Sequence, residues 1–142
     1  MIRRFLEKLT AEQYQPEPAD TAMAAAVLMT EIVRADYQID ESEKAAMTQA
    51  LSTLIPDRDA EALVKEAFEE AGANNDLQHF TSAIHGQWSN EQKSDLLVAL
   101  WRIAYADNQL DKYEEHMVRK IADLLYIPHS EFIRTKLIAR DQ

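Results

Sequence analysis

The sequence predicts an all-α protein, a helical bundle of about seven or eight helices built from two pseudo-symmetric helix–acidic corner–helix repeats. Three observations predict this fold. The chain has only 2 Gly and 4 Pro in 142 residues and is rich in good helix formers. Its apolar residues recur at spacings of three and four, and no alternating strand pattern competes with that periodicity. A nine-residue motif also occurs twice, each time between two such apolar runs.

The repeated motif reads Ala-Asp-x-Gln-(Ile/Leu)-Asp-x-x-Glu and occupies residues 35–43 and 106–114, with a constant offset of 71 residues. Because each copy lies between two helical patterns, each is predicted to be a tight helix–helix corner. We assign repeat one to residues 19–72 and repeat two to residues 89–140. Two such units pack most simply as a pair within one domain over residues 19–140, each covering the apolar face that the other exposes.

The charge and composition restrict the kinds of partner. The formal net charge is −10, from 25 Asp and Glu against 15 Lys and Arg. A field of that sign repels phosphate backbones, so we predict no nucleic-acid binding. It attracts cations and basic partners, although acidic solubilising faces would give the same total. The absence of cysteine excludes thiol chemistry, and the lack of a membrane-length apolar run or a signal peptide predicts a cytoplasmic protein.

Residues 1–18 are predicted to form an amphipathic helix over residues 2–14, followed by a proline-containing connector. The basic and apolar start of this helix is compatible with contact to an anionic membrane surface. Docking of the same apolar stripe on the domain is the alternative, and the acidic Glu7 and Glu12 favour docking.

Repeat one is predicted to contain three helices. The first covers about residues 19–35, where many alanines indicate the close approach of a neighbouring helix. The second begins at Asp40, a good N-cap residue, and is ended by Pro56. Asp57 is expected to cap the third helix, and Gly72 to end it.

Repeat two follows a connecting helix over about residues 77–84. Ser89 and Gln92 have the spacing of a capping box at the start of the next helix. Asp111 is expected to cap the helix after the second corner, and Ser130 the last helix.

Capping explains half of the repeated motif. Asp40 and Asp111 precede predicted helices, where their side chains can accept hydrogen bonds from exposed amides. Glu43 and Glu114, three residues later, complete a pair that resembles a capping box. A cap contributes about 1 kcal/mol, which is enough to account for these four residues without any binding function.

Asp36 and Asp107 need a further explanation, because each falls near the C-terminal end of a helix, where the helix dipole disfavours a carboxylate. An Asx-turn, the amides of the next helix or a bound cation would each stabilise them. Carboxylates at relative positions 0, +4 and +7 around one corner can converge on Ca²⁺ or Mg²⁺, both of which prefer oxygen ligands. The candidate metal ligands are Asp36, Asp40, Glu43, Asp107, Asp111 and Glu114.

The first corner is the better candidate, because Lys112 places a positive charge beside the second. Neither corner is an EF-hand loop, which requires a glycine at the sixth position; Glu41 and Lys112 stand there.

No catalytic constellation is apparent. His79 and His85 are six residues apart on one predicted helix, which does not place them on one face, and two glycines cannot form a phosphate loop. We therefore predict a non-enzymatic protein with no catalytic residue, and we expect Trp101 in the core. A metal-dependent hydrolase that uses the same carboxylates, and a structural interaction domain in which the motif only caps helices, are the alternatives.

With its doubled Ala-Asp-x-Gln-(Ile/Leu)-Asp-x-x-Glu corners between amphipathic helices, the chain resembles the tellurite-resistance TerB family over about residues 19–137. That resemblance implies an all-helical fold of two related halves, a cytoplasmic location and a role within stress-response complexes, often near membranes. The resemblance also implies divalent-cation binding by the six acidic residues named above. Our leading hypothesis is a non-enzymatic TerB-like module that binds a partner protein. The chain differs from many members of the family in having Tyr37 and Asn108 where they carry glycine, which makes each corner stiffer.

Overall fold

The computed structural model describes residues 18–35, 40–73, 77–106 and 110–141, and these residues form seven α-helices with no strand among them. The helices are α1 (Pro18–Val33), α2 (Glu41–Leu54), α3 (Ala60–Ala73), α4 (Leu77–Gln87), α5 (Asn90–Ala104), α6 (Lys112–Leu124) and α7 (His129–Arg140). The predicted all-α fold is confirmed. The predicted helix over residues 2–14 lies outside the described residues.

Helices α1 and α5 form the centre of the bundle. Residues 24–30 of α1 are all buried, because this helix packs against α3, α4 and α5 and also contacts α2 and α6. Helix α5 packs against α7, α2, α1 and α6, and it carries the largest fully buried side chain, Trp101. The alanines of α1 permit this crowding, as their spacing in the sequence predicts.

The helix that precedes each corner packs against the second helix after that corner. Helix α1 precedes the first corner and packs against α3, whereas α5 precedes the second corner and packs against α7. Helix α4 contacts α1 and α6. The origin of the chain from a duplicated unit stays a prediction. Among the described helices, none has the length and apolar character needed to cross a membrane.

The predicted caps that adjoin a corner or a short loop are largely confirmed. Asp40 and Asp111 are the N-caps of α2 and α6. Ser89 caps α5 with a full capping box: its hydroxyl accepts from the Gln92 amide at 3.1 Å, and its own amide donates to Gln92 Oε1 at 2.8 Å.

Two predicted caps are wrong. The chain makes a turn after α2, in which the Arg58 amide donates to the Ile55 carbonyl at 3.2 Å, so Asp57 lies in that turn and Asp59 instead accepts from the Ala62 amide at 3.3 Å. Helix α7 begins at His129 after Pro128, which places Ser130 inside the first turn rather than before it.

The predicted stop at the end of the third helix is also displaced. Helix α3 continues through Gly72 and ends at Ala73. Glycine is disfavoured inside a helix, but its penalty of about 1 kcal/mol is too small to end a helix that packs against α1 and α2.

Helix α6 ends in a Schellman motif that contains a strained residue. The Ile127 amide donates to the Ala122 carbonyl at 3.0 Å, and the Tyr126 amide donates to the Asp123 carbonyl at 3.1 Å. Tyr126 adopts a φ of 59°, a left-handed conformation that glycine usually occupies in this motif. Its side chain is 77% exposed, so little packing offsets the strain.

Replacing Tyr126 by Gly and by Ala separates the backbone strain from the side-chain contact. Both substitutions remove the aromatic ring, but only glycine removes the Cβ that disfavours a positive φ. We expect the Gly variant to be more stable than the Ala variant by about 1 kcal/mol in urea unfolding. Equal stability of the two variants would show that the positive φ does not strain the folded chain.

Candidate functional site

The first acidic corner joins α1 to α2. After α1, the Arg34 amide donates to the Thr30 carbonyl at 3.0 Å, which carries the chain into the turn. Asp40 then adopts an extended backbone, with φ −89° and ψ 127°, immediately before α2. Residues 36–39, which include the candidate ligand Asp36, lie outside the described residues.

The carboxylate of Asp40 receives the amides that open α2. Its Oδ1 accepts from the Ser42 amide at 2.8 Å, from the Glu43 amide at 3.3 Å and from the Ser42 hydroxyl. These bonds favour the charged form and lower the pKa of Asp40. The hydrogen bond from the Ser42 hydroxyl is the largest cause, and the backbone amides of Glu43 and Ser42 add smaller contributions. Partial desolvation opposes the shift. The described hydrogen bonds to Asp40 all involve Oδ1 and none involves Oδ2.

The charge on Asp40 gives the stability of the chain a pH dependence. Because its pKa is lower in the folded chain, Asp40 stabilises the fold above the unfolded pKa of about 3.9, and this contribution is lost as the pH falls through the folded pKa. Asn caps helices about as well as Asp but does not titrate. We expect Asp40→Asn to be less stable than the wild type at neutral pH and equal to it in strong acid, as measured by urea unfolding. An offset that is the same at both pH values would contradict a contribution from the charge.

The second acidic corner, between α5 and α6, is built in the same way where the structure describes it. The Tyr105 amide donates to the Trp101 carbonyl at 2.9 Å as α5 ends, and Asp111 adopts an extended backbone before α6. Asp111 Oδ1 accepts from the Tyr113 amide at 2.7 Å. Asp107 lies outside the described residues, which resume at Leu110 after the gap at residues 107–109.

The glutamates of the motif are buried at both corners, which the capping interpretation does not require. Glu43 and Glu114 are each 2% exposed. Burial of a carboxylate carries a large desolvation penalty unless hydrogen bonds or opposite charges compensate it. A matched pair of buried glutamates, each three residues after an N-cap aspartate, is therefore the main polar feature of the two corners.

Helical spacing is the signal that would have predicted this burial. Glu43 precedes Met47 and Leu51 at intervals of four, and all three are buried on α2. Glu114 likewise precedes the buried Val118 and Ile121 on α6. Each glutamate thus begins the inward stripe of its helix.

At each corner, the residues that the structure describes are too few to form a complete cation site. Carboxylates of the type found in Asp40 and Glu43 suit Ca²⁺ or Mg²⁺. In the regions that the structure describes, however, no three His, Cys, Asp or Glu side chains come together as a metal site requires. A complete site at the first corner would need a further oxygen ligand from residues 36–39, where Asp36 is the candidate.

A second polar cluster lies at the other end of α5 and α6, where sequence reasoning predicted none. Lys93 is only 5% exposed, and its Nζ lies 2.6 Å from His85 Nδ1. Burial lowers the pKa of Lys93. The ring of Tyr126 contacts the exposed His85 ring, with 4.8 Å between the ring centres. Because the three residues come from separate helices or their ends, no local spacing could reveal this cluster.

The comparison with protein-family models gives a match over most of the chain. The model described as tellurite resistance protein TerB matches residues 22–137, from α1 to α7 and across both corners. No curated protein and no solved structure matches the chain significantly. Since the family model covers most of the chain, this all-helical protein belongs to the TerB family.

Proposed function

We propose that this chain is a non-enzymatic module of the stress response that binds a partner protein and holds a divalent cation weakly at its first acidic corner. The observation that carries the proposal is the matched pair of buried glutamates, Glu43 and Glu114, each behind an N-cap aspartate in a TerB-family chain. Capping accounts for Asp40 and Asp111, but it gives no reason to bury two carboxylates.

The charges that flank the two corners favour the first as the cation site. The residue after Asp40 is Glu41, whereas the residue after Asp111 is Lys112. Both of these residues are exposed at the start of their helices. A cation at the first corner would thus be attracted by one more carboxylate, and a cation at the second would be repelled by an ammonium group.

The cation half of the proposal is tested by thermal unfolding with added Ca²⁺, Mg²⁺ or Mn²⁺. A ligand at ten times its Kd stabilises the folded state by about 1.4 kcal/mol, so the melting temperature should rise at millimolar Ca²⁺. We expect the response to be lost in Asp36→Asn with Asp40→Asn. The matched control, Asp107→Asn with Asp111→Asn, should keep it. Melting curves that none of the three cations changes would remove this half of the proposal.

The partner half is tested by capture from a cell lysate on the immobilised full chain, with and without a chelator. We expect a protein that is retained specifically, and its release by chelator would connect the cation to the interaction. Retention that the chelator does not affect would support a protein-binding module without a cation, in which the motif only caps helices. Failure to retain any protein would contradict the interaction.

A further inference from the structure

The outer face of α2 and α3 carries a groove that the acidic corners do not explain. We call it the α2–α3 groove. The residues that line it include Ala45 and Thr48 of α2 and Val64 and Phe68 of α3, and its volume is about 560 Å³. Val64 is buried, Phe68 is half-buried and Ala45 is exposed. The groove therefore has an apolar floor beneath an open top.

The spacing of the lining residues gives the groove the shape of a helix-binding slot. On α2 the lining residues fall at 41, 44, 45 and 48, and on α3 they fall at 61, 64, 65, 68 and 69. Each set follows the three-and-four spacing of one helix face over two turns, a length of about 10 Å. Two neighbouring helices with facing stripes of this kind provide the seat for the apolar face of a third helix.

The charged residues at the rim of the groove favour one sign of charge on that third helix. Glu41, Glu61 and Glu69 line the groove against two lysines, Lys44 and Lys65. The ammonium of Lys44 lies 5.2 Å from the centre of the Phe68 ring, so one of the two cations is already engaged with the floor. Three carboxylates against two ammonium groups leave the rim net negative, and on a chain of net charge −10 this rim complements an amphipathic helix with a basic flank.

The same charges disfavour two other occupants. A second copy of the chain carries the same net charge of −10, so two copies repel each other. An anionic membrane surface would be repelled by the chain's net charge of −10 and by a rim on which three glutamates outnumber two lysines.

We propose that the α2–α3 groove binds a basic amphipathic helix of a partner protein, with apolar side chains on Val64 and Phe68 and Lys or Arg side chains opposite Glu41, Glu61 and Glu69. This inference rests on the proposed function, in that it assumes that the chain binds a protein, and it gives that interaction a surface and a partner chemistry. Phe68 is the anchor, because it is the one aromatic residue among those that line the groove, and aromatic residues contribute most to such interfaces.

The test uses a fluorescent designed peptide of about 18 residues, long enough to become helical on binding, with leucines at three-and-four spacing and lysines on both flanks. Binding to the full chain is followed by fluorescence anisotropy. We expect this peptide to bind at least about tenfold more tightly than a scrambled peptide of the same composition, and than a version with glutamate in place of lysine.

Two variants with the same change in charge locate the binding. Ala45→Arg fills the groove with a long cationic side chain, whereas Ala62→Arg places the same side chain on an exposed part of α3 that does not line the groove. We expect Ala45→Arg to weaken binding at least about tenfold and Ala62→Arg to leave it close to that of the wild type. Equal binding by the two variants, or equal binding of the designed and scrambled peptides, would overturn the inference.

Capture from lysate by the same two variants separates this inference from the proposed function. If Ala45→Arg retains the same proteins as the wild type, the chain binds its partner elsewhere, so the proposed function stands and the groove assignment falls. A wild-type dimer that Ala45→Arg converts to a monomer in sedimentation would assign the groove to a second copy and would also overturn it.

Discussion

Replacing Trp101 with Ala is expected to lower the free energy of unfolding by about 3 to 5 kcal/mol, the largest loss we expect from a single side chain. Trp101 lies on the central helix α5 and has no exposed surface. Its ring centre is 5.1 Å from that of Phe132 on α7 and 6.2 Å from that of Tyr105, and the Lys136 ammonium lies 5.4 Å from it. Alanine would leave a cavity where α5 packs against α7, its most extensive neighbour.

Trp101→Phe provides the control for this prediction. The indole N–H of Trp101 is buried and has no hydrogen-bond partner within the described part of the chain. Phenylalanine therefore loses volume but no hydrogen bond, and it removes a polar group whose burial is itself unfavourable. We expect Trp101→Phe to lose less than half of what Trp101→Ala loses in urea unfolding monitored by circular dichroism. Equal losses would show that ring packing is not the source of the stability.

Replacing Ala25 with Leu is expected to have the second largest effect, a loss of about 1 to 3 kcal/mol. Ala25 is fully buried on α1, the helix that packs against α3, α4 and α5. Extra methylene groups at that position would force these helices apart or their side chains out of favoured rotamers.

The control for this prediction is Ala62→Leu. Ala62 is exposed on α3, and leucine has nearly the same helix propensity as alanine, so we expect almost no change in urea unfolding. If Ala25→Leu is as stable as Ala62→Leu, the helices around α1 have room to spare, and close packing is not the reason for the alanines.

Features with a local cause were predictable from the sequence. Asp40, Ser89 and Asp111 lie directly before strongly periodic helices, and each is the N-cap that the sequence predicts. The sequence predicts the wrong N-cap residue where two aspartates lie within one short loop. Asp59 replaces Asp57 because a turn at residues 55–58 comes first, and a difference between caps of about 1 kcal/mol is too small to read from sequence.

Features with a tertiary cause were not predictable. The contact between Lys93 and His85 joins two helices. Tyr126 adopts the left-handed conformation at the position of the Schellman motif that glycine usually occupies. The burial of Glu43 and Glu114 is an intermediate case. Their spacing from the apolar residues of the same helix predicts burial, whereas their charge predicts exposure to solvent. Only the packing of whole helices decides between these two tendencies.

The position of α1 also has a consequence for synthesis on the ribosome. Helix α1 is made before the other described helices, yet part of its buried surface is covered by α5 and α6. About 90 residues separate the end of α1 from the end of α6, and at about 5 to 20 residues per second the ribosome needs about 5 to 20 s to add them. During this interval the nascent chain exposes apolar surface that its own later helices will cover, and exposed surface of this kind is what chaperones protect in unfinished proteins.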